Sequence, residues 1–266
     1  MHHPSALIRR AACSLTLLLL LAGSSTALAA SLVYEGFQYL PGQPLPTMAG
    51  GSGWAPGPWT GSGQMVDAPP TLHYPFALPP TGDSLMNPAP GEAFRSFVAP
   101  VTNGGSQLWI SFMENSLVAG TGSFVSLDPS GGAGAITLTK DAGGAITLGA
   151  GPLTAPAGFA AGPGITDFFL LGLSQFSGTT KVNLYVNPGP ALGPPTASLV
   201  LPAPFILSRF YFRTDPNQEI DEIRIGTSIV DVAAVAAPEP GTGLLLGLGV
   251  VAITGARRHT GIRRRV

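Results

Sequence analysis

Gly134-Ala-Ile-Thr-Leu-Thr-Lys140-Asp-Ala-Gly-Gly144-Ala-Ile-Thr-Leu148 contains one five-residue phrase twice, ten positions apart. In each copy apolar Ile and Leu flank Thr, the period-two pattern of a strand with one buried face. Asp141-Ala-Gly-Gly144 between the copies is turn chemistry, so the stretch reads as a β-hairpin. Two copies are too few for a solenoid.

The same period extends outward. Ala93 to Val98 and Gln107 to Asn115 alternate, with Leu108, Ile110 and Phe112 on one face, and Gly122 to Leu127 is shorter. Ile165 to Leu173 is almost wholly apolar, which suits a buried central strand. Thr180 to Asn187, Thr196 to Leu201, Leu207 to Arg213 and Glu219 to Gly226 complete the series, and Ser31 to Tyr39 opens it. Between Tyr39 and the second strand, 21 of the 51 residues from Pro41 to Gly91 are Gly or Pro, so this stretch is expected to be loop with short edge strands. About eleven strands with no helix among them make a two-sheet, all-β sandwich the economical architecture.

Composition agrees. Gly (36) and Pro (27) are abundant, yet 13 Phe, 5 Tyr and 3 Trp give the chain enough apolar surface to bury a core. The net charge of −1 hides a segregation. All 14 acidic residues lie between Glu35 and Glu239, where six basic ones accompany them, a balance of −8. The remaining basic residues flank the two apolar ends. An acidic body argues against nucleic acid as a partner. The single cysteine, Cys13, lies in the N-terminal apolar segment, so the body has no disulfide and no thiolate metal site.

The N-terminus has the parts of a secretory signal over residues 1–29. Arg9 and Arg10 precede the apolar stretch Cys13 to Ala22, and Ala27 and Ala29 stand at cleavage spacing. The expected partners are the Sec translocon and signal peptidase, with a mature start at Ala30 and Ser31 as a neighbouring option. At the other end Pro238-Glu239-Pro240 is followed by sixteen uncharged residues, Gly241 to Ala256, and then by Arg257, Arg258, Arg263, Arg264 and Arg265. As a transmembrane helix the run would extend roughly 24 Å. The arginines would hold residues 257–266 in the cytoplasm and the body outside. The body is then 30–232, with 233–240 as linker and motif.

Ala237-Pro238-Glu239-Pro240, the Gly/Leu-rich segment and the arginine cluster together resemble the PEP-CTERM sorting signal of Gram-negative bacteria. The resemblance implies that Pro238, Glu239 and Pro240 are recognised by an exosortase, a membrane-embedded Cys-dependent enzyme of species that make extracellular polysaccharide. Tyr34-Glu-Gly-Phe37, Gln107-Leu-Trp-Ile-Ser-Phe112, Val182-Asn-Leu-Tyr-Val-Asn-Pro188 and Asp221-Glu-Ile-Arg-Ile-Gly226 resemble concanavalin/laminin-G-like jelly rolls. That likeness implies a jelly roll whose first and last strands lie near each other; the Gly/Pro-rich stretch fits it least.

No catalytic constellation emerges. Glu219-Ile-Asp221-Glu222-Ile-Arg224 approaches the Glu-x-Asp-x-x-Glu or Glu-x-Asp-x-Glu strand of jelly-roll β-glucan hydrolases, where two carboxylates flank the sugar. Ile223 or Arg224 stands where the second Glu belongs, and strict alternation would turn Glu222 away from Glu219 and Asp221. The bland alternative is a terminal strand with Ile223 and Ile225 in the core and its charges at the edge. His73 is the one histidine between the ends, which rules out a histidine metal cluster there. Asp215, Asn217 and Glu219 offer oxygens for calcium without the Gly that a tight calcium loop wants. Trp54 and Trp59 could form a sugar-stacking platform, or pack over the sheet; Arg95, Arg209, Arg213 and Arg224 read as solvated strand-face charges. The expectation is an exported, non-catalytic surface or matrix protein with polysaccharide as its candidate ligand. The rivals are a divergent polysaccharide-cleaving enzyme and a purely structural surface-layer component.

Overall fold

The computed structural model describes residues 31–67, 72–80, 82–86, 88–101, 107–130 and 134–234. The chain divides into two units, Met1–Ala30 and Ser31–Val266, and every described residue belongs to the second.

Fifteen strands occur among the described residues. Four short ones come first: β1 (Val33–Glu35), β2 (Thr60–Ser62), β3 (Met65–Val66) and β4 (Leu85–Met86). Next are β5 (Gly91–Val101), β6 (Gln107–Ser116), β7 (Ser123–Pro129), β8 (Ile136–Lys140), β9 (Ala145–Ala150) and β10 (Leu153–Phe159). β11 (Thr166–Phe176), β12 (Thr179–Val186), β13 (Ala197–Leu201), β14 (Leu207–Thr214) and β15 (Gln218–Gly226) complete the set. An eight-stranded sheet runs β13-β12-β11-β6-β15-β4-β3, with β1 also paired to β15. A seven-stranded sheet runs β10-β9-β8-β7-β14-β5-β2, and every pairing is antiparallel. The first and last strands are indeed neighbours, Val33 opposite Ile225.

The repeated phrase forms the hairpin β8–β9, with Lys140 opposite Ile146. Asp141 Oδ1 accepts from the Gly143 and Ala145 N–H groups at 2.8 and 2.9 Å, and Gly144 supplies the positive φ (81°) that the turn requires. Ile136, Leu138, Ile146 and Leu148 enter the core, so the threonines of both copies face outward.

Four strands exceed the sequence-based expectation of eleven. β2, β3 and β4 are two or three residues long, and β10 is a sheet edge, where Pro156 can lack its N–H without breaking a ladder. The first strand is shorter than expected over 31–39. Phe37 sits at φ 48° and gives its N–H to Glu35 Oε1 at 3.0 Å, which ends the extended run. Gly172 is required by close approach: a Cβ there would lie 2.9 Å from the ring of Trp109, its cross-strand partner.

The main core lies between the sheets, but β11 is buried on both faces from Asp167 to Leu173. Its outer side chains Phe168 and Leu170 join Trp109, Met113 and Tyr185 in a second cluster, closed by Leu72, Val232 and Ala233. Two segments make this strap. Tyr74 stacks on Phe168 with centroids 5.3 Å apart, Ala77 bridges to Ala233, and Ala234 N–H donates to Phe76 O at 3.0 Å. Ala233 and Ala234 therefore pack on the body, past the boundary expected at residue 232.

The expected signal helix with Ala27 and Ala29 lies outside the described residues. So do Pro238, Glu239 and Pro240, the helix 241–256, and Arg257, Arg258, Arg263, Arg264 and Arg265. Among the described residues the helices are two 3₁₀ turns, and none is long and apolar enough to cross a membrane.

Candidate functional site

β15 is an interior strand, between β6 on one side and β1 and β4 on the other, so its charges are not at a sheet edge. Ile220, Ile223 and Ile225 all enter the core, which strict alternation forbids for 220 and 223 together. A β-bulge between Asp221 and Arg224 resolves this, with Glu222 at φ 53°. The extra residue turns Glu222 to the same outer face as Asp221 and Arg224, which corrects its expected placement on the opposite face.

The carboxylates brought together there are occupied internally. Asp221 is 0% exposed; Oδ1 accepts from Glu222 N–H at 2.7 Å and Oδ2 from Leu72 N–H at 3.3 Å. Burial, reinforced by the neighbouring Glu222 charge, pushes its pKa up to about 9. Burial also raises Glu219, while a hydrogen bond from Asn115 Nδ2 at 3.1 Å opposes it and the nearby Asp67 carboxyl adds to it. Of the two positions where the hydrolase strand pattern would put its second carboxyl, Ile223 is in the core and Arg224 is on the outer face. Its guanidinium bonds Glu222 Oε2, with Nε at 3.0 Å, and lies 4.6 Å from the Tyr34 ring centroid. Tyr34 donates to the other oxygen of Glu222 at 3.0 Å. Arg224 is thus a half-sequestered ion-pair partner rather than the solvated charge expected.

Trp54 and Trp59 are likewise corrected. Their exposures are 5% and 1%, and they pack against each other at 5.2 Å. Phe97 stacks on Trp54, and Phe212 meets Trp59 edge-on, so neither ring offers a face to a sugar. They surround Glu35, whose oxygens accept from Phe37 N–H, Tyr39 Oη at 2.9 Å, Trp59 Nε1 at 3.2 Å and Arg95 Nη1 at 3.4 Å. Burial raises the Glu35 pKa against these donors. Arg95, also expected in solvent, is buried under both indoles and donates to Gly50 O at 2.7 Å and Gly57 O at 3.0 Å. This cluster fixes the Gly/Pro-rich stretch, which has too little secondary structure to fix itself; no sequence periodicity signals it.

Among the described residues no three His, Cys, Asp or Glu side chains converge as a metal site. Asp215 accepts from Gly122 N–H at 2.8 Å, Asn217 occupies a turn at φ 62°, and Glu219 is bound to Asn115. His73 is exposed on the strap.

The outer face of the seven-stranded sheet is different. Phe94, Phe124 and Tyr211 are half-buried on it, with Phe124 and Tyr211 edge-to-face at 5.9 Å. Tyr211 Oη donates to Glu92 at 2.7 Å, and burial with that partner pushes its pKa up to about 12. Arg209 lies 4.8 Å over Phe94 and donates from Nε to Asp128 at 2.7 Å. No sequence motif marks this surface; only the pairing register assembles it.

Residues 236–258 match the model of the PEP-CTERM protein-sorting motif. The chain carries a PEP-CTERM sorting motif. The motif implies an exported, envelope-associated protein processed by an exosortase-type enzyme. None of the curated proteins compared matches significantly. Among solved structures, the chain is similar to an endo-1,3-beta-glucanase from Streptomyces sioyaensis, at 9% identity and a TM-score of 0.50, covering 76% of this chain and 97% of that one. A glycosyl hydrolase family 16 protein from Mycobacterium smegmatis aligns at 13% identity and a TM-score of 0.45, covering 74% and all of that chain. Lectin II from Ulex europaeus aligns at 10% and 0.39, covering 74% and 99%. At such identities the glucanase likeness speaks to the jelly-roll fold alone.

Proposed function

We propose that this PEP-CTERM protein is a non-catalytic surface component whose exported β-sandwich holds polysaccharide outside the cell. The observation that carries the non-catalytic part is the state of β15. Glycoside hydrolysis needs a carboxylic acid and a second carboxylate flanking the bond. On this strand Ile223 and Arg224 occupy the two places for the acid, Arg224 tied to Glu222, and Asp221 is sealed beneath Leu72. An arginine stays protonated at working pH and cannot act as the general acid. Support for polysaccharide as the ligand is the pairing of a jelly-roll body with a sorting motif whose family occurs in polysaccharide-exporting bacteria.

The test is direct. The full chain, incubated with soluble β-1,3- and mixed-linkage glucans, is expected to release no reducing ends while being retarded in gels cast with a polysaccharide. Release that disappears in Glu219→Gln would instead establish the strand as catalytic. The signal peptide at 1–29 and exosortase cutting at Pro238-Glu239-Pro240 are read by intact mass of protein from the native host. A mature start at Ala30 and loss of the arginine tail are the expected result.

A further inference from the structure

Three antiparallel rows cross the outer face of the seven-stranded sheet. The register places Glu92, Arg213, Phe124, Thr139 and Thr147 side by side. Phe94, Tyr211, Ser126 and Thr137 form the next row, then Ser96, Arg209 and Asp128. Phe94 and Tyr211 are therefore side by side and Phe124 lies diagonally beside Tyr211, and the group is bordered on one side by the outward threonines of the repeated phrase. Arg209 and Arg213 bracket the rings, about 13 Å apart along β14 at ~3.3 Å per residue.

The two borders are concave. Clefts of about 210 Å³ (Phe124, Thr139, Arg213) and 380 Å³ (Glu92, Arg213) adjoin one arginine. One of about 360 Å³ (Ser96, Asp128, Arg209) adjoins the other. Half-exposed rings give apolar faces, hydroxyls and guanidinium forks give directed hydrogen bonds, and Glu92 and Asp128 balance Arg209 and Arg213. Within these three rows the charges balance, while Asp141 and Asp215 line the clefts beside Arg213, in a body whose overall balance is −8. A neutral, hydroxyl-rich chain with apolar ring faces complements the balanced rows, and a polyanion would meet the acidic body.

On the other sheet the strap covers the outer aromatic cluster over β6 and β11. The described body also ends there: Ala234 lies against Phe76, two residues before the sorting motif begins at 236. The open face is therefore on the opposite side of the sandwich from Ala234, the last described residue.

We infer that the outer face of the seven-stranded sheet, centred on Phe94, Phe124 and Tyr211 between Arg209 and Arg213, is a binding track for a neutral polysaccharide. This rests on the glycan-binding part of the proposed function and assigns it a place.

The full chain in a polyoxyethylene detergent is run through gels containing laminarin, galactomannan or dextran, with alginate as the anionic comparison. At least one neutral polymer is expected to retard it, and Tyr211→Ala and Phe124→Ala are each expected to weaken that binding by about tenfold or more. Tyr211→Phe, which keeps the ring, and Phe176→Ala, at an exposed hairpin tip on the other sheet, should stay within about twofold. Circular dichroism and the melting temperature establish that each variant is folded; should the alanine variants unfold, Tyr211→Leu and Phe124→Leu, which keep apolar bulk without the flat ring, take their place with the same expected loss, and added salt should leave neutral-polymer binding unchanged. Retardation that survives folded Tyr211→Ala and Phe124→Ala overturns the site while leaving the glycan reading intact. Absence of retardation by every polymer removes both. Retardation by alginate alone, abolished by salt, overturns the neutral class. Self-association lost in Tyr211→Ala, with no polymer bound, would make the face a contact between copies.

Discussion

Glu35 Oε2 and Arg95 Nη1 lie 3.4 Å apart inside the sandwich, one from each sheet, beneath the indoles of Trp54 and Trp59. Removing one partner leaves the other buried without its counter-charge. Glu35→Gln or Arg95→Met alone should cost about 3–5 kcal/mol, and the double variant should recover a large part of that loss. Urea titration of the four proteins measures the coupling. Additive losses would show that the pair contributes through packing only.

Stability should fall as pH rises. Glu35, Glu114, Glu219 and Asp221 all have folded-state pKa values above their ordinary ones, with burial the leading cause in each. The folded chain thus binds more protons than the unfolded chain, and each group subtracts up to ~1.4 kcal/mol per pH unit inside its own window. For Asp221 the window runs from its ordinary value, 3.8, to about 9. The melting temperature is expected to be higher at pH 5 than at pH 8.5, and Asp221→Asn should flatten that slope. An unchanged slope in the variant would refute the assignment to Asp221.

The strap should detach by a single charge. Val232 is 1% exposed and its carbonyl accepts from Ser111 Oγ at 2.7 Å. Val232→Asp places a carboxylate over Met113, Phe168 and Leu170, so residues 229–234 should lift. Increased binding of an apolar dye, with the sandwich's cooperative melt retained, is the expected outcome; unchanged dye binding would mean the strap tolerates the charge.

Restoring a carboxyl on β15 should not create a hydrolase. Arg224→Glu adds a third carboxyl beside Glu222 and Asp221 but leaves Asp221 covered by Leu72. The expected result is a loss of about 3–5 kcal/mol and no reducing-end release. Activity gained in this variant would show that Arg224 alone blocks catalysis.

The alternating strands were legible because alternation is a local consequence of burying one face. Leu108, Ile110 and Phe112 read as one face and are one face. The repeated phrase read as a hairpin and is one. The candidate site was barely legible. Glu222 needed a bulge, invisible in a sequence that alternates on paper. Trp54 and Trp59 looked available because they sit among glycines and prolines, residues that mark loops without saying what the loops cover. Phe94, Tyr211 and Phe124 come from three strands, β5, β14 and β7, and no spacing rule connects them.

Composition, period and end motifs by themselves determined an all-β body, its hairpin and the sorting motif at 236–258, since each depends on neighbours within one segment. Register across sheets, the bulge in β15 and the strap over β11 were decided only by the tertiary structure. Which face is sealed and which stays open depends on residues such as Leu72, Phe168 and Val232 meeting across more than 150 positions. Burial energy selects that meeting, and it has no local signature.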